Sequence, residues 1–87
     1  MSDGKQIKFY GSPWCPSSRR ARKLLMDKGV SFEWINIDDD LSGRAYVMKV
    51  NKGYRSVPTI LFPDGEILVE PSSSALLGKL KRIGLLI

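Results

Sequence analysis

The sequence predicts an α/β fold in three layers, with helices on both faces of a four-stranded mixed sheet and the order β-α-β-α-β-β-α. Three observations predict it. The first half alternates short β-prone apolar runs with longer stretches of helical spacing, which makes a βαβ unit; such a unit requires parallel strands and a right-handed crossover. Pro63-Asp64-Gly65 separates two further apolar runs and marks a tight hairpin. The last stretch places Leu76, Leu77, Leu80 and Ile83 at helical spacing. All 87 residues, 1–87, fit one small domain with a single modest core.

Each element has its own local reason. Residues 6–10, with Ile7-Lys8-Phe9-Tyr10, form the first strand. Helix 1 starts at Pro16, because a missing N–H costs nothing in the first helical turn. Ala21, Leu24 and Leu25 form its core stripe, and Gly29 ends it. Ser31 to Ile37 alternates polar and apolar residues, as a half-buried strand does. Asp39 or Asp40 caps helix 2. Leu41, Ala45 and Met48 are expected on its inner face, and Gly53 closes it. Thr59 to Phe62 and Glu66 to Val69 are the hairpin strands. Ser72, Ser73 or Ser74 caps the last helix. The apolar tail Gly84-Leu85-Leu86-Ile87 either tucks onto the sheet or marks a weak dimer contact.

Composition excludes several kinds of chemistry. Apolar residues make up 43% and charged residues 26%, ordinary values for a globular domain. There is no histidine, so His-based triads and Cys-His zinc sites are out. A single cysteine allows no internal disulfide. Met1-Ser2-Asp3-Gly4 opens no signal-like apolar stretch and no run reaches membrane-spanning length. The expectation is a cytoplasmic monomer without a membrane partner. Asp38-Asp39-Asp40 reads as helix cap and dipole partner, so no metal site is assigned. Trp34, Met26 and Met48 read as packing residues.

The most informative residue is Cys15, in Ser12-Pro13-Trp14-Cys15-Pro16-Ser17-Ser18. It stands where the first strand hands over to a helix N-terminus. Free backbone N–H groups and the positive end of the helix dipole favour a thiolate there. In open α/β sheets, chemistry gathers at the carboxyl ends of parallel strands, and Cys15 lies at such an end. Arg19, Arg20, Arg22 and Lys23 follow directly, within a net charge of +5. They read as a solvated helix face, as stabilisers of the thiolate, or as an attraction for an anionic thiol or acidic partner. Nucleic acid is not expected, because no aromatic residues interleave with this short run.

The second signal is Arg55-Ser56-Val57-Pro58-Thr59. A proline entering a strand cannot donate to the sheet ladder. Either a cis peptide precedes Pro58 and turns the Val57 backbone outward, or Pro58 is a plain trans proline at a strand start.

Together these residues resemble the glutaredoxins of the thioredoxin fold, over nearly the whole chain. The resemblance is closest to actinobacterial-type glutaredoxin-like proteins and mycoredoxins. It rests on Trp14-Cys15-Pro16-Ser17-Ser18, Asn51-Lys52-Gly53-Tyr54-Arg55-Ser56-Val57-Pro58-Thr59, Phe62-Pro63-Asp64-Gly65 and Pro71-Ser72. It implies a thiol–disulfide oxidoreductase acting on protein disulfides or protein–small-thiol mixed disulfides. Cys15 would be the nucleophile and Pro58 its cis-proline neighbour. Val57 would offer its backbone to an extended thiol substrate. Tyr10 and Trp14 would wall the groove beside Pro16. Arg55, with Ser72 and Ser73 at a helix N-terminus, would meet carboxylates.

Three departures shape that expectation. The second motif cysteine is Ser18, which leaves a monothiol cycle; the sequence does not tell whether this serine is native or replaces a cysteine. Val69-Glu70-Pro71-Ser72-Ser73 stands where glutathione-using members carry Gly-Gly-x-x-Asp, and Ser12 stands where a lysine is common. Glutathione, mycothiol and a thioredoxin-reductase-type flavoenzyme therefore stay open as reductants, with no bound cofactor expected. Cys15-Pro16-Ser17-Ser18 also differs from the Cys-Gly-Phe-Ser of cluster-carrying members. An iron–sulfur carrier with Cys15 as ligand in a dimer, and a non-catalytic binding module, are the alternatives.

Overall fold

The computed structural model describes residues 6–85. In chain order it has β1 (Ile7–Gly11), α1 (Pro16–Asp27), β2 (Phe32–Asn36), α2 (Leu41–Val50), β3 (Thr59–Leu61), β4 (Ile67–Val69) and α3 (Ser73–Arg82). The strands lie in the order β2-β1-β3-β4, with β1 parallel to β2 and the other pairings antiparallel. The expected order of elements is the one observed, with element ends moved by a residue or two. Leu86 and Ile87, on which the expected tail contact depended, lie outside the described residues.

Alternation along β1 separates the core into two layers. Ile7 and Phe9 point to one face, where Ala21 and Leu25 of α1, Leu76 and Leu80 of α3, Ile60 and Phe62 join them. Phe9 is fully buried and packs its ring against Phe32 and Trp34, with centroids 5.7 and 5.5 Å away. Tyr10 points to the other face, where Val47 of α2 packs with Tyr10 and Ile37. Burial pushes the Tyr10 phenol above its ordinary pKa, with Tyr46, Glu33 and Asp40 adding to the shift. Trp34 is half-buried under the Arg22 guanidinium, which lies 4.2 Å from its ring centroid, and so packs as the sequence suggests.

The helix ends follow their chemistry. Gly29 takes φ +70° after α1, a conformation cheap only without a Cβ. Asp40 caps α2 by accepting from the Gly43 N–H at 2.8 Å. Ser72 caps α3 by accepting from the Ala75 N–H at 3.1 Å. The inner face of α2 differs from the expected one. Gly43 and Val47 are buried, whereas Leu41 is 70% exposed and Ala45 faces solvent. The reason is close approach: a Cβ on Gly43 would stand 2.6 Å from Ile35 Cγ2. A short helix that seats its glycine on the sheet must turn Leu41 and Ala45 away.

Among the described residues Lys79 is the one buried charge, and hydropathy alone does not find it. Its stem is packed, with Nζ 5.4 Å from the Phe62 ring centroid, and its ammonium ion-pairs with Asp64 and Glu66 of the β3–β4 hairpin. The Lys79 hydrogen bond, then the Glu66 N–H, hold the Asp64 carboxyl below its ordinary pKa. Hydrogen bonds to Asp64, then Glu66, raise Lys79. A carboxyl lowered by folding stabilises above its unfolded pKa, and this contribution is lost as pH falls through the folded value. An amine raised by folding stabilises below its unfolded pKa, and this contribution is lost as pH rises through the folded value. The link is therefore intact across neutral pH and breaks first in acid. Asp64→Asn is expected to flatten the acid side of a melting-temperature profile; an acid limb identical to that of the parent protein would contradict the assigned coupling.

Candidate active site

The site is built at the carboxyl end of β1. After Gly11 the chain turns through Ser12, Pro13 and Trp14, and the Cys15 N–H donates to the Ser12 carbonyl at 3.2 Å. Cys15 is the N-cap of α1, with extended backbone at φ −84° and ψ 121°. Its carbonyl accepts the Arg19 N–H at 3.0 Å and so starts the helix. No side chain caps this end, Pro16 follows, and the first turn holds no acidic residue. The remaining first-turn N–H groups, with the dipole behind them, are thus open to negative charge on the half-buried Cys15 sulfur.

Three features shape the surroundings of the thiol. Cys15 Sγ lies 3.8 Å from the Val57 carbonyl oxygen, across 42 positions of sequence. The Val57-Pro58 peptide is cis, the first of the two alternatives the sequence leaves open. Ser18 is fully buried, and its Oγ accepts the Ser12 N–H at 3.3 Å. Its hydroxyl therefore pins the loop that carries Cys15.

The segment opposite Cys15 is held from behind. Thr59 Oγ1 donates to the Ser56 carbonyl at 2.7 Å and accepts from Asn51 Nδ2 at 3.1 Å. The Glu70 N–H donates to the Pro58 carbonyl at 2.8 Å, so the exit of β4 is fastened to the proline. Ser72 and Ser73 follow two and three residues later, exposed, with the Ser72 hydroxyl already engaged as helix cap. Arg55 is exposed on the loop entering Val57.

The structure thus gathers Cys15, Ser18, Val57 and Pro58 tightly, with Trp14 and Pro16 exposed beside the sulfur. Ser72 and Ser73 follow Glu70, the residue whose N–H is tied to Pro58, and among the described residues the partners of Ser72 lie within α3. Tyr10 does not fit the groove-wall expectation. It is 7% exposed and its ring stacks on Tyr46 with centroids 4.8 Å apart, because its β1 position points it under α2.

Asp38, which the sequence shows only as part of an acidic run at the start of α2, takes a different role in the structure. Its Oδ2 accepts from Trp14 Nε1 at 2.7 Å and from Ser12 Oγ at 3.4 Å. Arg44 steadies this second loop by donating to the Ile37 and Asp38 carbonyls at 2.9 and 3.0 Å. The signal was available: parallel neighbours end at the same edge of a sheet, so the loop after β2 had to lie beside the loop after β1. Trp14→Phe removes one charge-assisted hydrogen bond at an exposed site and is expected to cost about 0.5–1.5 kcal/mol of stability. Urea denaturation checks this; an unchanged midpoint would mean that water replaces the indole N–H without loss.

Among the described residues, no group of three or more His, Cys, Asp or Glu side chains is placed to hold a metal ion. Nor is any helix among them long and apolar enough to cross a membrane.

Comparison with known proteins gives a consistent picture. The glutaredoxin family profile matches residues 7–68. Mycoredoxin 1 of Corynebacterium glutamicum is 30% identical over 77 residues, which covers 88% of this chain and 95% of that protein. Among solved structures, the glutaredoxin of Archaeoglobus fulgidus superposes with a TM-score of 0.68 at 28% identity, covering 90% of this chain and 87% of that one. A thioredoxin-like protein crystallised as a point variant reaches a TM-score of 0.75 at 24% identity, over 95% and 99% of the two chains, a likeness of fold.

Proposed function

The chain belongs to the glutaredoxin family, and from that premise we propose that it reduces protein disulfides or protein–small-thiol mixed disulfides by monothiol exchange at Cys15. One observation carries the reading. The single cysteine caps a helix with no acid in its first turn, and its sulfur faces the Val57 carbonyl beside Pro58. A substrate sulfur approaching Cys15 meets the backbone of half-buried Val57, to which an extended chain would pair as an added strand does.

The cycle has two exchanges. The Cys15 thiolate attacks one sulfur of the substrate disulfide; the Sγ–S bond forms, the old S–S bond breaks, and the leaving thiolate takes a proton from water. Where the adduct holds a small thiol, a second small thiolate attacks that thiol's sulfur; a disulfide between the two small thiols forms, the Sγ–S bond breaks, and Cys15 leaves with the electron pair. With Ser18 as the neighbour, this second step needs an outside thiol. Trp14, Pro16 and Val57 form the walls, and Arg55, Ser72 and Ser73 receive carboxylates of the substrate. The co-substrate is a low-molecular-weight thiol, glutathione or mycothiol, or else a reductase regenerates Cys15 directly. A reducing compartment such as the cytoplasm suits a lone thiol of this kind.

Intact-mass spectrometry tests the reading. Reduced protein treated with glutathione disulfide or mycothiol disulfide is expected to gain the mass of one small thiol. A second equivalent of free thiol should then remove it, and the faster of the two pairs identifies the co-substrate. Absence of the adduct with both, or an adduct that no thiol removes, would refute it.

A further inference from the structure

The basic side chains of α1 divide into two sets. Arg22 is occupied by the Trp34 ring, 4.2 Å from its guanidinium. Arg19, Arg20 and Lys23 are exposed on another side and, with Pro16, line a surface depression of about 440 Å³. Lys23 has Asp27 one turn on, at 2.9 Å in an exposed pair. Among the described residues the side chains of Arg19 and Arg20 enter no ion pair. Positions 16, 19, 20 and 23 form one helical stripe that begins beside Cys15.

We propose that this stripe docks an acidic segment flanking the disulfide cysteine of the client protein. The inference rests on exchange at Cys15 as proposed above and adds the class of client. From Pro16 to Lys23 the helix rises about 10 Å, at ~1.5 Å per residue. An extended peptide covers that length with about three residues. Carboxylates within a few positions of the client cysteine thus fall over Arg19 and Arg20 when the two sulfurs meet. Guanidiniums without an internal partner bind such groups in a bidentate fork. The stripe has no aromatic side chain on which bases could stack, which favours a peptide over a nucleic acid.

The test uses the full chain and synthetic peptides with one cysteine blocked as its 2-thiopyridyl disulfide. The flanks are acidic, neutral or basic. The Cys15 thiolate attacks the peptide sulfur, the peptide–thiopyridyl bond breaks, and the electron pair leaves on the thiopyridine, whose absorbance reports the rate. The acidic peptide is expected to react roughly tenfold faster than the neutral one at low salt, as steered encounters do. The ratio should shrink towards one near molar salt, where the screening length is only ~3 Å. Arg19→Gln/Arg20→Gln should remove the preference, and Arg19→Glu/Arg20→Glu should transfer it to the basic peptide. Because the ratio is internal to each variant, any effect of these charges on the thiolate itself cancels. Equal rates in the parent protein, or a preference that survives both double variants, would overturn the proposal. A single-stranded oligonucleotide that displaces the acidic peptide through the same two arginines would reassign the stripe and overturn it too. If no peptide reacts at all, the exchange reading fails first and the docking proposal falls with it.

Discussion

Replacing Cys15 by serine is expected to abolish the thiol–disulfide exchange proposed for this chain while leaving the fold intact. Both halves of that expectation have a physical cause. Exchange needs a sulfur nucleophile that is ionised near neutral pH and can also leave; a serine hydroxyl does neither. The chain holds no second cysteine to substitute for it. Serine is also among the best N-cap residues, and Cys15 stands at the N-cap of α1. The variant is thus expected to melt at or above the temperature of the parent protein while forming no adduct with a small-thiol disulfide. Exchange that survives in Cys15→Ser would end the assignment of Cys15 as nucleophile. The complementary variant, Ser18→Cys, places a second thiol three positions along the same helix turn. Its adduct is expected to be expelled without added thiol, leaving a disulfide between positions 15 and 18. Persistence of the adduct would mean that the buried site of Ser18 keeps that sulfur from turning towards Cys15.

Gly11→Ala should unfold the protein more easily than its single added methyl suggests. A Cβ there would stand 2.9 Å from Phe9 Cε1, 3.0 Å from Ser18 Oγ and 3.0 Å from Trp34 Cζ3. Phe9 and Ser18 are fully buried, so they have little room to yield. Overpacking of this kind costs about 1–3 kcal/mol. In a domain of this size each kcal/mol lowers the melting temperature by roughly 4–8 °C. Because Ser18 holds the Ser12 N–H, the displacement should also loosen the Cys15 loop and slow adduct formation. Thermal denaturation and the adduct rate measure the two effects together. An unchanged melting temperature would show that the three neighbours relax around the methyl at no cost.

How much of this was legible beforehand differs by kind of interaction. The element order was, because each element carries a local signature: Pro16 and Gly29 bracket α1, Asp64-Gly65 turns the hairpin, and Ser72 caps α3. Cys15 and Pro58 were legible for the same reason, as an unusual residue at a helix start and an awkward one at a strand start. What was not legible lies between elements. Which face of α2 packs inward depends on Gly43 fitting beneath Ile35, and no periodicity of apolar residues encodes a glycine contact. The family resemblance sets Tyr10 on the groove wall, yet strand alternation turns it under α2. Nothing in the local sequence marks Lys79 as buried; its burial depends on two carboxylates that the hairpin supplies. Asp38 reads as part of an acidic run serving the start of α2 until the parallel pairing sets it beside Trp14.

The order of the strands has a dynamic consequence. β1 is flanked on both sides, by β2 and by β3, so its amides sit in the most protected ladder of the sheet, whereas β4 is a three-residue edge. The sulfur hangs from the strand expected to open last, and Ser72 and Ser73 follow the one expected to open first. Native-state hydrogen exchange should therefore be slowest at Phe9 and Tyr10 and fast along β4. Rigidity and adaptability thus fall at different places in one sheet: a central ladder carries the loop of the lone cysteine, and a short edge leads into the start of α3.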